Sequence, residues 1–127
     1  MGNRKRRVLI VDDDVRTSRL LARLLRDDGF DVEVAVDGAG AIARLSHHPL
    51  PEMLVTDLRM PHADGLTVAR FARSQEPSMP VFFVTGYPEM LSPIDPALAP
   101  VVRVFSKPVE YLELTAAMRS SLPAFSA

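Results

Sequence analysis

The chain has 127 residues, with 15 basic and 16 acidic side chains and no cysteine. This length and balanced charge are typical of one globular domain, and they argue against non-specific nucleic-acid binding as its main activity. The lack of cysteine excludes disulfides, thiolate metal sites and thiol catalysis. No apolar run approaches the roughly 20 residues of a membrane helix, and Val8–Val11 is too short for the core of a secretion signal. We therefore expect one cytoplasmic domain over residues 1–122, with a tail over residues 123–127.

Five apolar runs are rich in Val, Ile and Phe and too short for helices, which is typical of strands buried on both faces of a parallel sheet. The predicted strands are Val8–Val11, Val32–Val36, Met53–Val55, Val81–Val84 and Val101–Phe105. Amphipathic patterns predict helices at Val15–Arg26, Gly38–Ser46, Asp64–Ser74 and Glu110–Leu122. In the first of these helices we expect a core face made of Leu20, Leu21, Leu24 and Leu25, with arginines opposite.

The alternation of strands and helices predicts βαβ units and an α/β fold: a doubly wound, five-stranded parallel sheet with helices on both faces. The expected strand order is 2-1-3-4-5. Asp13 or Asp14 is expected to cap the first helix, and Gly29 to end it. The segment Tyr87–Pro100 should hold the fourth helix, but its four prolines predict one or two turns followed by irregular chain.

Polar residues follow the predicted strands where ligands bind in such sheets, beyond the carboxyl ends. The first strand is followed by Asp12, Asp13 and Asp14, the third by Asp57, the fourth by Thr85 and the fifth by Lys107. In a parallel sheet these side chains converge at one edge.

Such a set of residues suits a phosphoryl group. Clustered carboxylates repel one another unless a cation compensates them, and Mg²⁺ prefers oxygen ligands of this kind. A metal and Lys107 would neutralise phosphoryl oxygens, and Thr85 would donate a hydrogen bond. Asp57 stands alone at its strand end, which makes it the best candidate for a phosphoryl acceptor.

Four segments occur in a familiar order and spacing: residues 8–14 (VLIVDDD), residues 55–65 (VTDLRMPHADG), residues 84–86 (VTG) and residues 105–108 (FSKP). In this the chain resembles the receiver domain of two-component response regulators, the CheY-like domain. The resemblance covers nearly the whole chain and implies a flavodoxin-like fold.

The resemblance implies a role for each residue at the strand ends. Asp57 would be the phosphoacceptor, Thr85 the switch hydroxyl, and Lys107 the lysine that bridges phosphoryl group and acidic pocket. Asp13 would bind Mg²⁺ directly, Asp12 largely through water, and Arg59 through its backbone carbonyl. The Lys107–Pro108 bond is often cis in this family.

The chain also departs from the family's pattern. Val104 occupies the position where the family often has an aromatic residue coupled to the switch hydroxyl, and by alternation Phe105 should point the other way. The stretch Gly86–Glu89 resembles receivers attached to hybrid sensor kinases. Tyr87 and Arg59 occupy positions at which family members vary in dephosphorylation rate, and we expect Tyr87 to shield the aspartyl phosphate from water.

The expected function is therefore to accept a phosphoryl group from a histidine kinase or phosphotransfer protein and to switch protein–protein interactions. We expect a monomer or weak dimer that binds neither nucleic acid nor membrane and is no enzyme beyond its own phosphorylation and dephosphorylation. One alternative is an interaction module with this fold that works without phosphorylation. An aspartyl phosphatase ranks lower, because Arg59 stands where such enzymes need a second acid, and a nucleotide-binding fold lower still, because no glycine-rich loop follows the first strand.

Several other polar residues have plainer interpretations. The basic residues 4–7 are expected to form a solvated flank, and His47 and His48 a solvated turn. His62 follows the candidate acceptor in sequence, but a role for it in phosphoryl transfer is disfavoured.

Overall fold

The structure is a computed structural model that describes residues 5–60, 64–91 and 102–121. Strands and helices alternate along the described residues. The strands are β1 (Arg7–Val11), β2 (Asp31–Ala35), β3 (Met53–Thr56), β4 (Val81–Thr85) and β5 (Val102–Ser106). The α-helices are α1 (Val15–Asp27), α2 (Gly38–Leu45), α3 (Gly65–Gln75) and α4 (Tyr111–Ser121), and a 3₁₀ helix spans Pro88–Leu91.

The five strands form one parallel sheet in the order β2-β1-β3-β4-β5. This confirms the predicted fold class and strand order. The predicted strand bounds differ from the observed ones by one residue at one or both ends of each strand. Val11 lies beside Thr56, Thr56 beside Phe83, and Thr85 beside Ser106. The strands β1 and β3 therefore end level with each other, and β4 and β5 end together two residues further along.

Two apolar cores lie on opposite faces of the sheet. On one face, Val8, Ile10 and Phe82 pack with buried residues of α1 and α4. On the other face, Leu9, Val11 and Phe83 pack with buried residues of α2 and α3. Successive strand residues point to opposite faces, so a strand covered by helices on both sides needs apolar residues at every position. This explains the unbroken apolar runs of β1, β3 and β4.

The core face of α1 differs from the predicted one. Its buried residues are Ser18, Leu21, Ala22 and Leu25, whereas Leu20 is 59% and Leu24 37% exposed. Residues three, four and seven positions apart share one face of a helix. The four leucines span two neighbouring faces, and only the face that includes Ser18 and Ala22 meets the sheet.

Aspartates cap the first three helices: Asp14 caps α1, Asp37 caps α2 and Asp64 caps α3. The Asp14 carboxylate accepts hydrogen bonds from the backbone N–H groups of Arg16 and Thr17, so Asp14 is the cap of α1. The Thr17 hydroxyl also donates a hydrogen bond to this carboxylate. That bond and the two backbone bonds hold the pKa of Asp14 below its usual value. At its other end α1 gives way to Gly29, whose φ of 94° suits glycine and few other residues.

The remaining expectations about the chain's organisation have mixed outcomes. A short 3₁₀ helix follows β4, in agreement with the expected one or two turns, while residues 92–101 and the tail after residue 121 lie outside the described residues. Arg7 is not part of a solvated flank: it begins β1, and its guanidinium donates to the Leu50 carbonyl and pairs with Glu52. Within the described ranges, no helix is both long and apolar enough to span a bilayer.

Candidate functional site

Backbone hydrogen bonds that continue the sheet hold the residues beyond the strand ends. The amide of Asp12 donates to the Ala35 carbonyl at 3.1 Å, and that of Asp57 to Val11 at 2.9 Å. The amide of Lys107 donates to the Thr85 carbonyl at 2.9 Å. The backbones of these residues are therefore held by neighbouring strands independently of their side-chain contacts.

Three carboxylates meet at this edge, as the strand ends predict. One carboxylate oxygen from each of Asp12, Asp13 and Asp57 lies within 4.8 Å of the other two. Asp12 and Asp57 are buried, whereas Asp13 is exposed. Burial raises the pKa of Asp12, because hydrogen bonding by the Asp14 amide and the charge of Lys107 offset only part of the desolvation.

Lys107 reaches into the cluster from β5. Its Nζ lies 2.9 Å from Asp57 Oδ2 and 3.2 Å from Asp12 Oδ2. Burial lowers the pKa of Lys107, but the hydrogen bond to Asp57 and the charges of both carboxylates outweigh burial, so the pKa lies above its usual value. The lysine is therefore protonated at neutral pH and bridges the two buried acids. The Lys107–Pro108 bond is cis, as the family resemblance implies.

Local backbone groups orient the Asp57 carboxylate. Its Oδ1 accepts the Leu58 amide at 2.7 Å and the Arg59 amide at 3.4 Å. Gly65, at the start of α3, approaches so closely that a Cβ placed there would lie 2.1 Å from the Asp57 carbonyl oxygen. The Gly65 amide donates to the Leu58 carbonyl at 2.7 Å. The loop after β3 therefore closes against α3 only if residue 65 has no side chain.

Thr85 lies fully buried at the end of β4. Its hydroxyl oxygen accepts a hydrogen bond from the Tyr87 amide at 3.0 Å. On β5, Val104 and Phe105 pack in the two opposite cores, which confirms the alternation expected for them.

Sequence reasoning missed two features of the site. Gly65 belongs to the second motif, but apart from its place after the helix cap Asp64, no sequence pattern predicts its contact with the Asp57 backbone. The guanidinium carbon of Arg59 lies 4.8 Å from the centre of the Tyr87 ring. The family resemblance singled out both positions, but it did not predict that their side chains touch. Stacking of this kind depends on the placement of two separate loops.

The histidines do not join the cluster where the structure describes them. The Nδ1 atom of His47 lies 2.8 Å from the Ala43 carbonyl oxygen and both His47 and His48 are exposed, as predicted for a solvated turn. The turn includes a cis His48–Pro49 bond. His62 lies outside the described residues.

Comparison with known proteins places this geometry in a family. The sequence model of the family of response regulator receiver domains matches residues 8–119 of this chain. The chain belongs to this family. Receiver domains of this kind are parts of two-component systems, so the resemblance inferred from the four motifs is confirmed.

Related receiver proteins differ in how much of their length the chain matches. The response regulator receiver protein CpdR of Brucella abortus is 32% identical over 109 residues, which cover 86% of this chain and 90% of CpdR. The transcriptional regulatory protein TrcR of Mycobacterium tuberculosis is 34% identical over 116 residues, or 91% of this chain but 45% of TrcR. The chain thus spans nearly all of one curated relative and less than half of the other.

Solved structures show the same fold. A response regulator receiver protein from Sinorhizobium medicae WSM419 has a TM-score of 0.85 and 29% identity, covering 94% of this chain and 96% of its own. The receiver domain of the hybrid histidine kinase CckA has a TM-score of 0.75 and 29% identity, with 92% and 99% covered.

Proposed function

We propose that the chain accepts a phosphoryl group on Asp57 from a histidine kinase or phosphotransfer protein, in the presence of Mg²⁺, and that this changes which proteins it binds. One observation carries the proposal: the Lys107 ammonium bonds both buried carboxylates of a three-carboxylate cluster. A structural ion pair would need only one acid for the lysine. The two further carboxylates leave negative charge that favours binding of a divalent cation, and the cation and Lys107 together can then neutralise phosphoryl oxygens.

The donor set fits Mg²⁺. This ion binds one or a few carboxylates and retains several waters, which an exposed carboxylate such as Asp13 allows. The carboxylates of Asp12, Asp13 and Asp57, with the Arg59 backbone carbonyl, would hold it. Bound there, Mg²⁺ would supply positive charge that stabilises phosphoryl oxygens during transfer.

The transfer itself is a single displacement. A carboxylate oxygen of Asp57 forms a bond to phosphorus while the bond from phosphorus to the donor's imidazole nitrogen breaks. The electron pair of the broken bond stays on that nitrogen, and the product is an acyl phosphate on Asp57. Lys107 neutralises the phosphoryl oxygens, Thr85 donates its hydroxyl proton to one of them, and the Leu58 amide keeps the carboxyl group oriented.

The remaining properties follow from this role. The chain catalyses its own phosphorylation and dephosphorylation but turns over no external phosphate ester, because Arg59 supplies no second acid beside Asp57. It acts as a monomer or weak dimer in the cytoplasm, and its output is contact with another protein rather than with nucleic acid or membrane. Its downstream partner is a protein that distinguishes the two phosphorylation states.

Intact-mass measurement with acetyl phosphate tests the proposal. Wild-type protein is expected to gain the mass of one phosphoryl group when Mg²⁺ is present and none when it is chelated. Asp57→Asn should remain unmodified under both conditions. Modification that persists in Asp57→Asn would contradict the assignment of the acceptor.

A second candidate is an interaction module that works without phosphorylation. It is favoured by one observation, the aliphatic Val104 in the place of the family's coupled aromatic residue. Beryllofluoride, which binds carboxylates as a phosphoryl mimic, separates the two proposals. If neither acetyl phosphate nor beryllofluoride with Mg²⁺ alters Asp57, the interaction module becomes the better account.

A further inference from the structure

The loops after β3 and β4 meet through a pair of exposed side chains. Arg59 belongs to the loop after β3 and Tyr87 to the loop after β4. The Arg59 guanidinium carbon lies 4.8 Å from the Tyr87 ring centre, the arrangement of a cation–π contact. Because 47% of Tyr87 is exposed, a binding partner can touch this pair directly.

Each member of the pair is also joined to the reacting groups through its backbone. The Arg59 amide lies 3.4 Å from Asp57 Oδ1, and the Tyr87 amide donates to the Thr85 hydroxyl oxygen at 3.0 Å. A hydroxyl can donate one hydrogen bond and still accept others. When Thr85 turns its proton towards a phosphoryl group, its oxygen can therefore keep the Tyr87 amide and carry the loop with it.

The usual alternative route through β5 is weak in this chain. Val104 lies beside Phe83 in the sheet and packs in the core under α2 and α3. Its side chain has neither a ring that could change its rotamer nor a polar atom that could follow the hydroxyl. Phe105 packs in the opposite core, on the far face of the sheet. Among the described residues, the hydrogen bond from the Tyr87 amide therefore links the Thr85 hydroxyl to an exposed side chain.

We propose that Tyr87 is the positioning residue through which Thr85 reports phosphorylation at the surface of this protein, and that stacking on Arg59 fixes its position in the unmodified state. The inference rests on the proposed phosphorylation of Asp57. A phosphoryl group on Asp57 draws in the Thr85 hydroxyl, the Tyr87 amide follows, and the ring shifts relative to Arg59. The partner then meets a different surface at the mouth of the site.

The chain offers a clean probe of this movement. It contains two tyrosines and no tryptophan, so Tyr111→Phe leaves Tyr87 as the single tyrosine ring. In that background, NMR of ¹³C-labelled tyrosine follows the ring, and ¹⁹F NMR of bound beryllofluoride shows independently whether Asp57 is loaded. Thr85→Val removes the hydroxyl at similar volume, and Thr85→Ser is the matched control that keeps it.

The expected result is that loading shifts the Tyr87 ring signals in the wild type and in Thr85→Ser, and that loaded Thr85→Val leaves them unchanged. An equal shift in loaded Thr85→Val would overturn the inference, since the ring would then respond without the hydroxyl. Loading of the wild type without any ring shift would also overturn it, while the proposed function would stand. Absence of the ¹⁹F signal from wild-type protein would instead count against the proposed function, and the inference would fall with it.

A further arm uses the wild-type hydroxyl and does not depend on how well Thr85→Val loads. On loading, the Tyr87 amide and ring signals should change together, because one hydrogen bond moves both. Compared with the wild type at equal loading by ¹⁹F NMR, Arg59→Ala should place the ring signals of the free and loaded forms closer together. In protein that keeps Arg59, a shift of the Tyr87 amide signal without a shift of the Tyr87 ring signals would overturn the proposed coupling.

Discussion

The two ends of the sheet both carry charged side chains, but they balance the charge differently. At the amino end, Arg7 pairs with Glu52 at 3.6 Å and donates to the Leu50 carbonyl at 2.9 Å. That end also has a cavity of about 490 Å³, lined in part by Arg7, Leu50, Glu52 and Met79. At the carboxyl end, one lysine faces three carboxylates.

The comparison shows that the two ends of the sheet differ in charge balance. The charges of Arg7 and Glu52 neutralise each other, and their contact holds the start of β1 beside β3. An unmatched cluster keeps unused negative charge and so favours binding of a cation. Both ends are built by the same parallel strands, so the difference lies in a few residues at the strand ends.

The largest effect that would sharpen this comparison is expected from Lys107→Met. Loss of a charged hydrogen bond to a phosphoryl oxygen costs about 1.5–3 kcal/mol, which corresponds to a roughly 10–100-fold slower transfer. The rate at which the protein gains phosphoryl mass from acetyl phosphate measures this slowing of transfer.

Arg7→Met is the matched control for Lys107→Met. It should leave the rate of phosphorylation unchanged while lowering the free energy of unfolding by about 1–3 kcal/mol, because the guanidinium contacts with the Leu50 carbonyl and the Glu52 carboxylate are lost. Equal rates for Lys107→Met and the wild type, or a rate defect in Arg7→Met, would break the distinction between the two ends.

Gly65→Ala is expected to have the next largest effect. A Cβ 2.1 Å from the Asp57 carbonyl oxygen forces the loop after β3 away from α3. Overpacking of this kind costs about 1–3 kcal/mol of unfolding free energy, measured by urea denaturation, and should displace the acceptor and slow phosphorylation.

The control is Gly86→Ala, in the neighbouring loop after β4. A Cβ at Gly86 meets no atom within 4 Å, so this variant should retain wild-type stability. If Gly65→Ala were as stable as Gly86→Ala and were phosphorylated as fast, the fold would not require the close approach of α3 to Asp57.

Tyr87→Ala should change the lifetime of the phosphorylated state rather than its formation. Removing the exposed ring opens the mouth of the site, so water reaches the acyl phosphate more readily and its hydrolysis should be several-fold faster. The decay of the phosphoryl mass after donor removal measures it. Tyr87→Phe keeps the ring and should decay like the wild type, and an unchanged decay rate in Tyr87→Ala would remove the shielding role.

The smallest effect concerns pH and the contact between α1 and α4. Partial burial and the Asp28 carboxylate, 2.5 Å from the Tyr111 hydroxyl, raise the pKa of Tyr111 to about 12. Since an unfolded tyrosine has a pKa near 10, the folded state holds its proton more tightly. This contribution to stability is complete below about pH 10 and is lost as the pH rises towards 12.

Urea denaturation at several alkaline pH values measures this effect against Tyr111→Phe. The stability advantage of the wild type over the variant should shrink between about pH 10 and pH 12. Subtraction of the variant cancels the titration of Lys107 and other groups common to both. If the difference in unfolding free energy between the wild type and Tyr111→Phe stays constant over this range, the contact with Asp28 does not favour the neutral phenol.

More of the site than of the packing around it could be predicted from the sequence. The meeting of Asp12, Asp57 and Lys107 follows from the alternation of elements, because parallel strands bring their carboxyl ends to one edge. The exposure of Leu20 and Leu24 was mispredicted, because helical spacing shows which residues share a face but not which face meets the sheet.

Other details depend on distances that no local pattern encodes. The inclusion of Arg7 in β1 depends on Leu50 and Glu52, which are more than 40 residues away. The approach of Gly65 to Asp57 and the stacking of Arg59 on Tyr87 arise from how loops pack after the sheet has formed. Their residue types are visible in the sequence, but their contacts are not.

The most direct test of the uneven charge at the carboxyl end is a Mg²⁺ titration followed residue by residue in ¹H–¹⁵N NMR spectra. We predict saturable amide shifts centred on Asp13, Asp57 and Arg59, with the amides of Arg7, Glu52 and Ser78 at the amino end unmoved. Asp13→Asn should weaken this binding, whereas Glu52→Gln should not. Shifts centred on the amino end, or no saturable shifts at the carboxyl end, would contradict the account.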